Sequence, residues 1–385
     1  MIYLDNAATS FPKPPEVAAA CLEYLEKIGA SPGRSGHRPA AAAGRILYRT
    51  RKGLAELFNF PDPGRIIFCE NATGALNLAL FGLLGPGDRV LVGPLEHNSV
   101  MRPLRSLEER IGLEIDILPP GPESHYDLKT LARWCRERDY RLAVFNQVSN
   151  VTGTIAPLEE ILPVLRENGI VSVVDGAQSA GGLQLDLNKL RPDIFCFTGH
   201  KGLFGPPGTG GLCLGPGIDP EPLKLGGTGS RSEEELQPAF LPDRYESGTP
   251  NTMGLAGLGA GIDFILKIGQ EKITAHERKL AQMLRQGLEK IAGITLHGPR
   301  PEDRALAVVS FTASGLSPAE IGFQLDREYA VMTRVGLHCA PRAHRTIGTF
   351  PTGTVRLAPG WFNTEEEIAT VLAAIAEITG RKAQE

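Results

Sequence analysis

The stretch from Val171 to Leu214 reads VSVVDGAQSAGGLQLDLNKLRPDIFCFTGHKGLFGPPGTGGLCL. It holds three short apolar runs, Val171–Val174, Asp193–Phe197 and Gly210–Leu214, each of strand length. The first two end in polar residues, Asp175 and Thr198-Gly199-His200-Lys201. Upstream, the same kind of run recurs at Arg65–Cys69, Arg89–Val92, Glu114–Leu118 and Leu142–Asn146. Helix-like stretches lie between several of them, at Gly74–Gly82, Leu128–Glu137 and Leu158–Asn168. Apolar strands alternating with helices predict an α/β domain built on a mainly parallel, seven-stranded sheet. From about Gly254 the pattern changes to one long helix-like run, Gly254–Ile291. Shorter strand candidates follow at Ala307–Phe311 and Thr354–Leu357, flanked by helical stretches at Pro318–Glu328 and Thr364–Ile378. We therefore expect a large domain over 15–255 and a smaller α+β domain formed by 1–14 and 256–385.

Composition narrows the class. The chain has 385 residues, 42% hydrophobic and 22% charged, the profile of a globular enzyme. Its formal net charge of −4 argues against a general nucleic-acid or anionic-membrane binder. No basic segment followed by an apolar run opens the sequence, and apolar stretches such as Ile170–Val174 are too short to span a bilayer, so a cytoplasmic protein is expected. The six cysteines form no CxxC pair. Cys21, Cys69, Cys196 and Cys213 stand in apolar surroundings and read as small buried hydrophobes.

In open α/β sheets, ligands gather at the carboxyl ends of the strands. Asp175 ends one strand, where a carboxylate can pair with a protonated pyridine nitrogen, although it could equally cap a helix. Gln178, one turn on, can reach a ring hydroxyl. Lys201 follows an apolar strand, and desolvation there would lower its pKa and suit Schiff-base chemistry. Thr198 and His200 can donate to a phosphate. The run Glu70-Asn71-Ala72-Thr73-Gly74 enters a helix, so its backbone N–H groups and the Thr73 hydroxyl can cradle a phosphate. His97 follows another strand, placed to stack on an aromatic ring, and Asn150 follows a fourth, placed for the ring edge or a substrate. Each signal is weak alone. Together, separate strand ends supply every contact that pyridoxal 5′-phosphate requires.

These motifs resemble the class V aminotransferase family of fold-type I pyridoxal-phosphate enzymes, and within it group II cysteine desulfurases and selenocysteine lyases. The resemblance runs from YLDNAATS at Tyr3–Ser10 through ENATGALNL, LEHNS, SNVTGT, DGAQSAGG, TGHKGLFGPPGTGGL and RYESGTPN to HCAPRAHRTIGTFPTGTVRLAPGWFNTEEEI. It implies that Lys201 carries the cofactor as a Schiff base, that Asp175 faces the pyridine nitrogen and Gln178 the ring oxygen, and that His97 stacks on the ring and shuttles protons. It implies that Thr73, Thr198, His200 and the backbone of Ala72 hold the phosphate. It also implies a homodimer in which Thr249, in Ser247-Gly248-Thr249-Pro250, reaches the phosphate of the other subunit.

Two features bear on the reaction. Arg356 has the planar fork that pairs bidentately with a carboxylate. The resemblance makes it the holder of the substrate α-carboxylate, with Arg334 a second arginine near the substrate and His37 a histidine over the site. Cys339 lies in Gly336-Leu337-His338-Cys339-Ala340-Pro341, which reads as a loop, with Arg342, His344 and Arg345 close in sequence. Positive neighbours raise a thiol's thiolate fraction. The expected reaction is conversion of L-cysteine to L-alanine with the sulfur taken onto Cys339 as a persulfide, then passed to an acceptor protein. A selenocysteine lyase, another class V reaction or an inactive scaffold of the same fold are the competing readings. His338, Cys339 and His344 lack a second cysteine at ligand spacing, so no metal site is expected.

Overall fold

The computed structural model describes residues 1–33, 35–121, 126–299 and 305–382. The first strand is short, β1 (Ile2–Tyr3). Seven more follow: β2 (Ile66–Cys69), β3 (Arg89–Val92), β4 (Glu114–Ile117), β5 (Leu142–Asn146), β6 (Val171–Asp175), β7 (Ile194–Thr198) and β8 (Gly210–Leu214). They form one sheet in the order β2-β8-β7-β6-β5-β3-β4. From β7 to β4 every pairing is parallel, and β8 runs antiparallel to both β7 and β2. The sheet is thus the mainly parallel, seven-stranded one that the apolar runs predict.

Strands β5, β7 and β8 are buried along their whole length, because helices cover both faces of the sheet. One face packs Phe145, Val174, Phe195 and Phe197 with Leu258 and Ile262, and the other packs Val144, Val173 and Leu212 with Leu76, Leu80 and Leu104. The register pairs Asn146 with Asp175 and Asp175 with Cys196, so the carboxyl ends of the central strands stop side by side. That shared edge is where the polar motifs emerge.

The remaining strands are β9 (Ile294–His297), β10 (Val309–Ala313), β11 (Val331–Met332), β12 (Arg334–Gly336) and β13 (Thr354–Leu357). An antiparallel sheet, β12-β13-β10-β9, packs its apolar face on helices Gln270–Leu288, Pro318–Tyr329 and Glu365–Lys382. β1 pairs in parallel with β11, which ties the start of the chain to this second layer. The expected single helix over Gly254–Ile291 is instead two, Thr252–Ile268 and Gln270–Leu288, bent by 85°. The break falls at Gly269, whose φ of +92° an L side chain rarely adopts. Among the described residues no single helix is long and apolar enough to cross a membrane.

Candidate active site

A cavity of about 250 Å³ opens at the carboxyl edge of the large sheet. Among its walls are Ala72, Thr73, His97, Asn150, Asp175, Gln178, Thr198, His200, Lys201, Arg334 and Arg356, all picked out from the sequence. Asp175 and Thr198 are the last residues of neighbouring strands, so the sheet itself sets their spacing.

Burial pulls Lys201 down to about 8 from the ordinary lysine value, with Arg356 and Arg334 adding to the fall and Asp175 opposing it. About a tenth of the amine is therefore neutral, and nucleophilic, at pH 7. Asp175 is 6% exposed, and burial raises its carboxyl, opposed by a hydrogen bond from the Ala177 N–H at 2.9 Å and by Lys201. His97 caps the helix Asn98–Ile111: its Nδ1 accepts from the Ser99 N–H at 3.0 Å. That bond places the ring proton of a neutral imidazole on Nε2. Burial and then the nearby Lys201 and arginines push His97 down to about 3, so the ring is neutral.

At the far end, the helix Ala72–Leu83 starts at the cavity wall with Asn71 as its cap. Thr73 Oγ1 lies 2.7 Å from Ser99 Oγ. Thr198 Oγ1 is buried without a hydrogen-bond partner, which leaves a donor facing a site lined by a helix N-terminus. His200, lowered to about 4 chiefly by burial, lines the same cavity.

Arg356 is 1% exposed. Its Nη1 donates to the Asn150 carbonyl at 3.0 Å and its Nη2 to Asp5 Oδ1 at 2.5 Å, while Nε has no partner. Arg334 faces it directly across the β12–β13 pair. Asn150 spends its amide Nδ2 on the His338 carbonyl at 2.7 Å and keeps Oδ1 without a partner.

Cys339 is exposed, and Arg334 Nη2 donates to its Sγ at 3.3 Å. His338 and Cys339 both adopt positive φ, +48° and +58°, a conformation costly for residues with a Cβ. The turn is held from both sides, since Asn98 N–H donates to the Cys339 carbonyl at 2.9 Å and Asn150 to that of His338. The stretch is the expected loop, a turn over residues 337–340 that joins β12 to a short helix, Pro341–Thr346. The cation that reaches the sulfur is Arg334, on the N-terminal side, and not one of the three expected after it, Arg342, His344 and Arg345. His344 is fully buried on Thr349, and Arg345 lies over the Phe350 ring, 3.7 Å from its centroid.

Three expected residues are not in the wall of this cavity: Cys339, which touches it through Arg334, and His37 and Thr249, which stand away from it. His37 is exposed and caps the helix Arg38–Leu57 through its Nδ1. Thr249 is exposed in a separate cleft of about 460 Å³ with Phe68, Glu70 and Lys224. The sequence reading also missed contributors. The segment after β1 straps the lysine turn: Thr9 Oγ1 and Lys13 Nζ donate to the His200 carbonyl at 3.0 and 2.7 Å, and Ser10 Oγ donates to that of Lys201 at 2.9 Å. The YLDNAATS motif was the available signal.

The model of the family "Aminotransferase class-V" matches residues 2–371. A probable cysteine desulfurase of Pyrococcus abyssi is 36% identical over 98% of this chain and 94% of its own. An apo cysteine desulfurase from Thermococcus onnurineus superposes with a TM-score of 0.92 at 33% identity, covering 99% of this chain and 95% of its own. The Escherichia coli cysteine desulfurase CsdA, in an S-sulfonic acid form, gives 0.85 at 26% identity over 99% and 94%. The strand-end constellation and these matches agree: the chain belongs to the class-V aminotransferase family, whose members use pyridoxal 5′-phosphate.

Proposed function

We propose that this protein is a cysteine desulfurase that converts L-cysteine to L-alanine and takes the sulfur onto Cys339 as a persulfide. One observation carries the reading. An exposed thiol is held 3.3 Å from Arg334, an arginine lining a cavity that also contains Lys201, Asp175 and the buried Arg356.

The residues present fit the family's cofactor. Lys201 would hold it as a Schiff base, Asp175 would face the pyridine nitrogen, Gln178 the ring oxygen and His97 the ring. Thr73, Thr198, His200 and the backbone of Ala72 would take the phosphate, and the unpartnered Thr198 hydroxyl is ready for it. When bound, the cofactor supplies an electron sink for the pair left on carbon when a bond to the substrate's carbon breaks.

The chain's own groups do the rest. Arg356 pairs with the α-carboxylate through its free Nε edge. Lys201, with a pKa near 8, accepts the Cα proton. Cys339 attacks the substrate sulfur as the thiolate, so an S–S bond forms while the C–S bond breaks and its electron pair stays with carbon. His97 Nε2–H, in the wall of the same cavity, would supply a proton during this exchange. An acceptor thiol then removes the outer sulfur and returns Cys339 as thiolate.

We further propose a homodimer in which Thr249 reaches the partner's cofactor phosphate, supported by its exposure in an open cleft. None of the six cysteines is in a disulfide, which supports a reducing compartment such as the cytoplasm. Incubation of the cofactor-loaded protein with L-cysteine and a reductant tests the activity: alanine and sulfide should appear in equal amounts. A keto acid with the pyridoxamine form of the cofactor would instead mark an aminotransferase.

A further inference from the structure

Asp5 lies within the YLDNAATS motif but was given no role from the sequence, yet it occupies the substrate-facing arginine. Its position is fixed by backbone. Asp5 bridges Ala358 in parallel register, the Ala358 N–H donates to the Leu4 carbonyl at 2.7 Å, and the Asn6 N–H donates to the Ala358 carbonyl at 3.2 Å. This short ladder continues from β13 and sets the Asp5 carboxylate against Arg356, with Oδ1 2.5 Å from Nη2. Arg356 is 1% exposed and the Asp5 side chain 20%, so the pair is poorly screened.

The donors of Arg356 can be followed one by one. Nη1 serves the Asn150 carbonyl, Nη2 serves Asp5, and Nε–H is buried without a partner. A guanidinium has five N–H groups, so the edge made by Nε and the second Nη2 hydrogen remains for one bidentate carboxylate. Arg334 lies directly opposite in the strand register, bringing a second positive charge to the same pocket. Two arginines therefore line the carboxylate end of the cavity, and Asp5 is ion-paired to one of them.

We propose that Asp5 is a specificity-determining residue: its charge offsets one arginine, so the site suits ligands with a single carboxylate and disfavours those carrying a second anionic group. This rests on the reading of Arg356 as the substrate-carboxylate site. A dicarboxylate would place its second charge in a pocket where Asp5 has already cancelled much of the positive potential. Without the Asp5 charge Arg356 loses its ion pair while Arg334 keeps its contact with Cys339 Sγ, and a dianion gains more from the added positive potential than a monoanion does.

The test is calorimetric binding of propionate and succinate, which lack an amine, to the cofactor-loaded protein. Asp5→Asn keeps an oxygen that accepts from Arg356 and removes only the charge. The ratio of the propionate to the succinate dissociation constant should rise about tenfold or more over wild type, the scale expected for one nearby charge. Asp5→Glu, which restores the charge, should bring the ratio back towards wild type. An unchanged ratio in folded Asp5→Asn overturns the proposal, and Asp5→Ser serves the same comparison if thermal melts show the first variant misfolded. If neither acid binds wild type, or if Arg356→Gln binds both as wild type does, it is the carboxylate reading of Arg356 that fails instead.

Discussion

The lysine that defines this site is held at a cost to the empty protein. Lys201 falls from 10.5 to about 8 chiefly through burial, so its folded pKa lies about 2.5 units below its unfolded one (10.5 − 8). Below pH 8 both states are protonated, and the folded state carries the full penalty of a buried ammonium. Between about 8 and 10.5 the unfolded chain binds more protons, so stability rises with pH and the penalty fades. Lys201→Met should therefore make the cofactor-free protein more stable at pH 7, by about 1–3 kcal/mol at 1.36 kcal/mol per unit. The gain should vanish near pH 10.5, and thermal melts of both proteins at pH 7 and 10 check it. At this scale the sequence was informative where chemistry follows a strand end. Asp175, Thr198 and Lys201 could be picked out because an apolar run stops just before them or on them. Asp5 could not, because its partner Arg356 is 351 residues away and only tertiary structure joins them. The cation on Cys339 was misjudged for a related reason: Arg334 and Arg345 flank it at similar distances along the chain, and only the fold shows that Arg334 reaches the sulfur while the Arg345 side chain lies on Phe350.

Between residues and fold, the decisive element is the pair β12 and β13, whose register sets Arg334 opposite Arg356. The connection back into β13 depends on Gly353, at φ +84°, where an added Cβ would lie 2.1 Å from the Gly336 carbonyl oxygen. Gly353→Ala must move one strand or the other. It should lower stability by roughly 1–3 kcal/mol, the usual scale for forced backbone conformations. It should also raise KM for L-cysteine more than it weakens cofactor binding, because both arginines ride on these strands and the cofactor-facing groups lie on the large sheet. Thermal melts, cofactor titration and steady-state kinetics separate the three effects. Thr354–Leu357 was legible as a strand, since its four residues are all buried. β12 was not, being three residues of partly exposed chain. The bend at Gly269 was likewise hidden, because the Gln270, Glu271 and Lys272 that follow it are good helix formers and one glycine in a helical pattern is ambiguous.

For the molecule as a whole, the alternation of strand and helix announced the large sheet, whereas the strap of residues 5–13 across two layers could not be read from any local pattern. The proposed dimer belongs to this scale. Subunits carrying Lys201→Ala mixed with subunits carrying Thr249→Ala should form hybrids in which one site keeps both residues, so tight cofactor binding returns at that site. A strictly monomeric protein at micromolar concentration in sedimentation would contradict the shared site. The proposed reaction would engage every part at once: the sheet edge for the cofactor, the arginine pair for the carboxylate, the strained turn for the sulfur. Its most direct test is mass spectrometry of the loaded protein after brief exposure to L-cysteine without reductant, with alanine measured alongside. The account predicts one added sulfur on the peptide bearing Cys339, one alanine per sulfur, and a fall in sulfide release of roughly a hundredfold or more in Cys339→Ala, as when a reacting group is lost. Sulfide release by Cys339→Ala at the wild-type rate, with no sulfur on that peptide in the wild type, would contradict it.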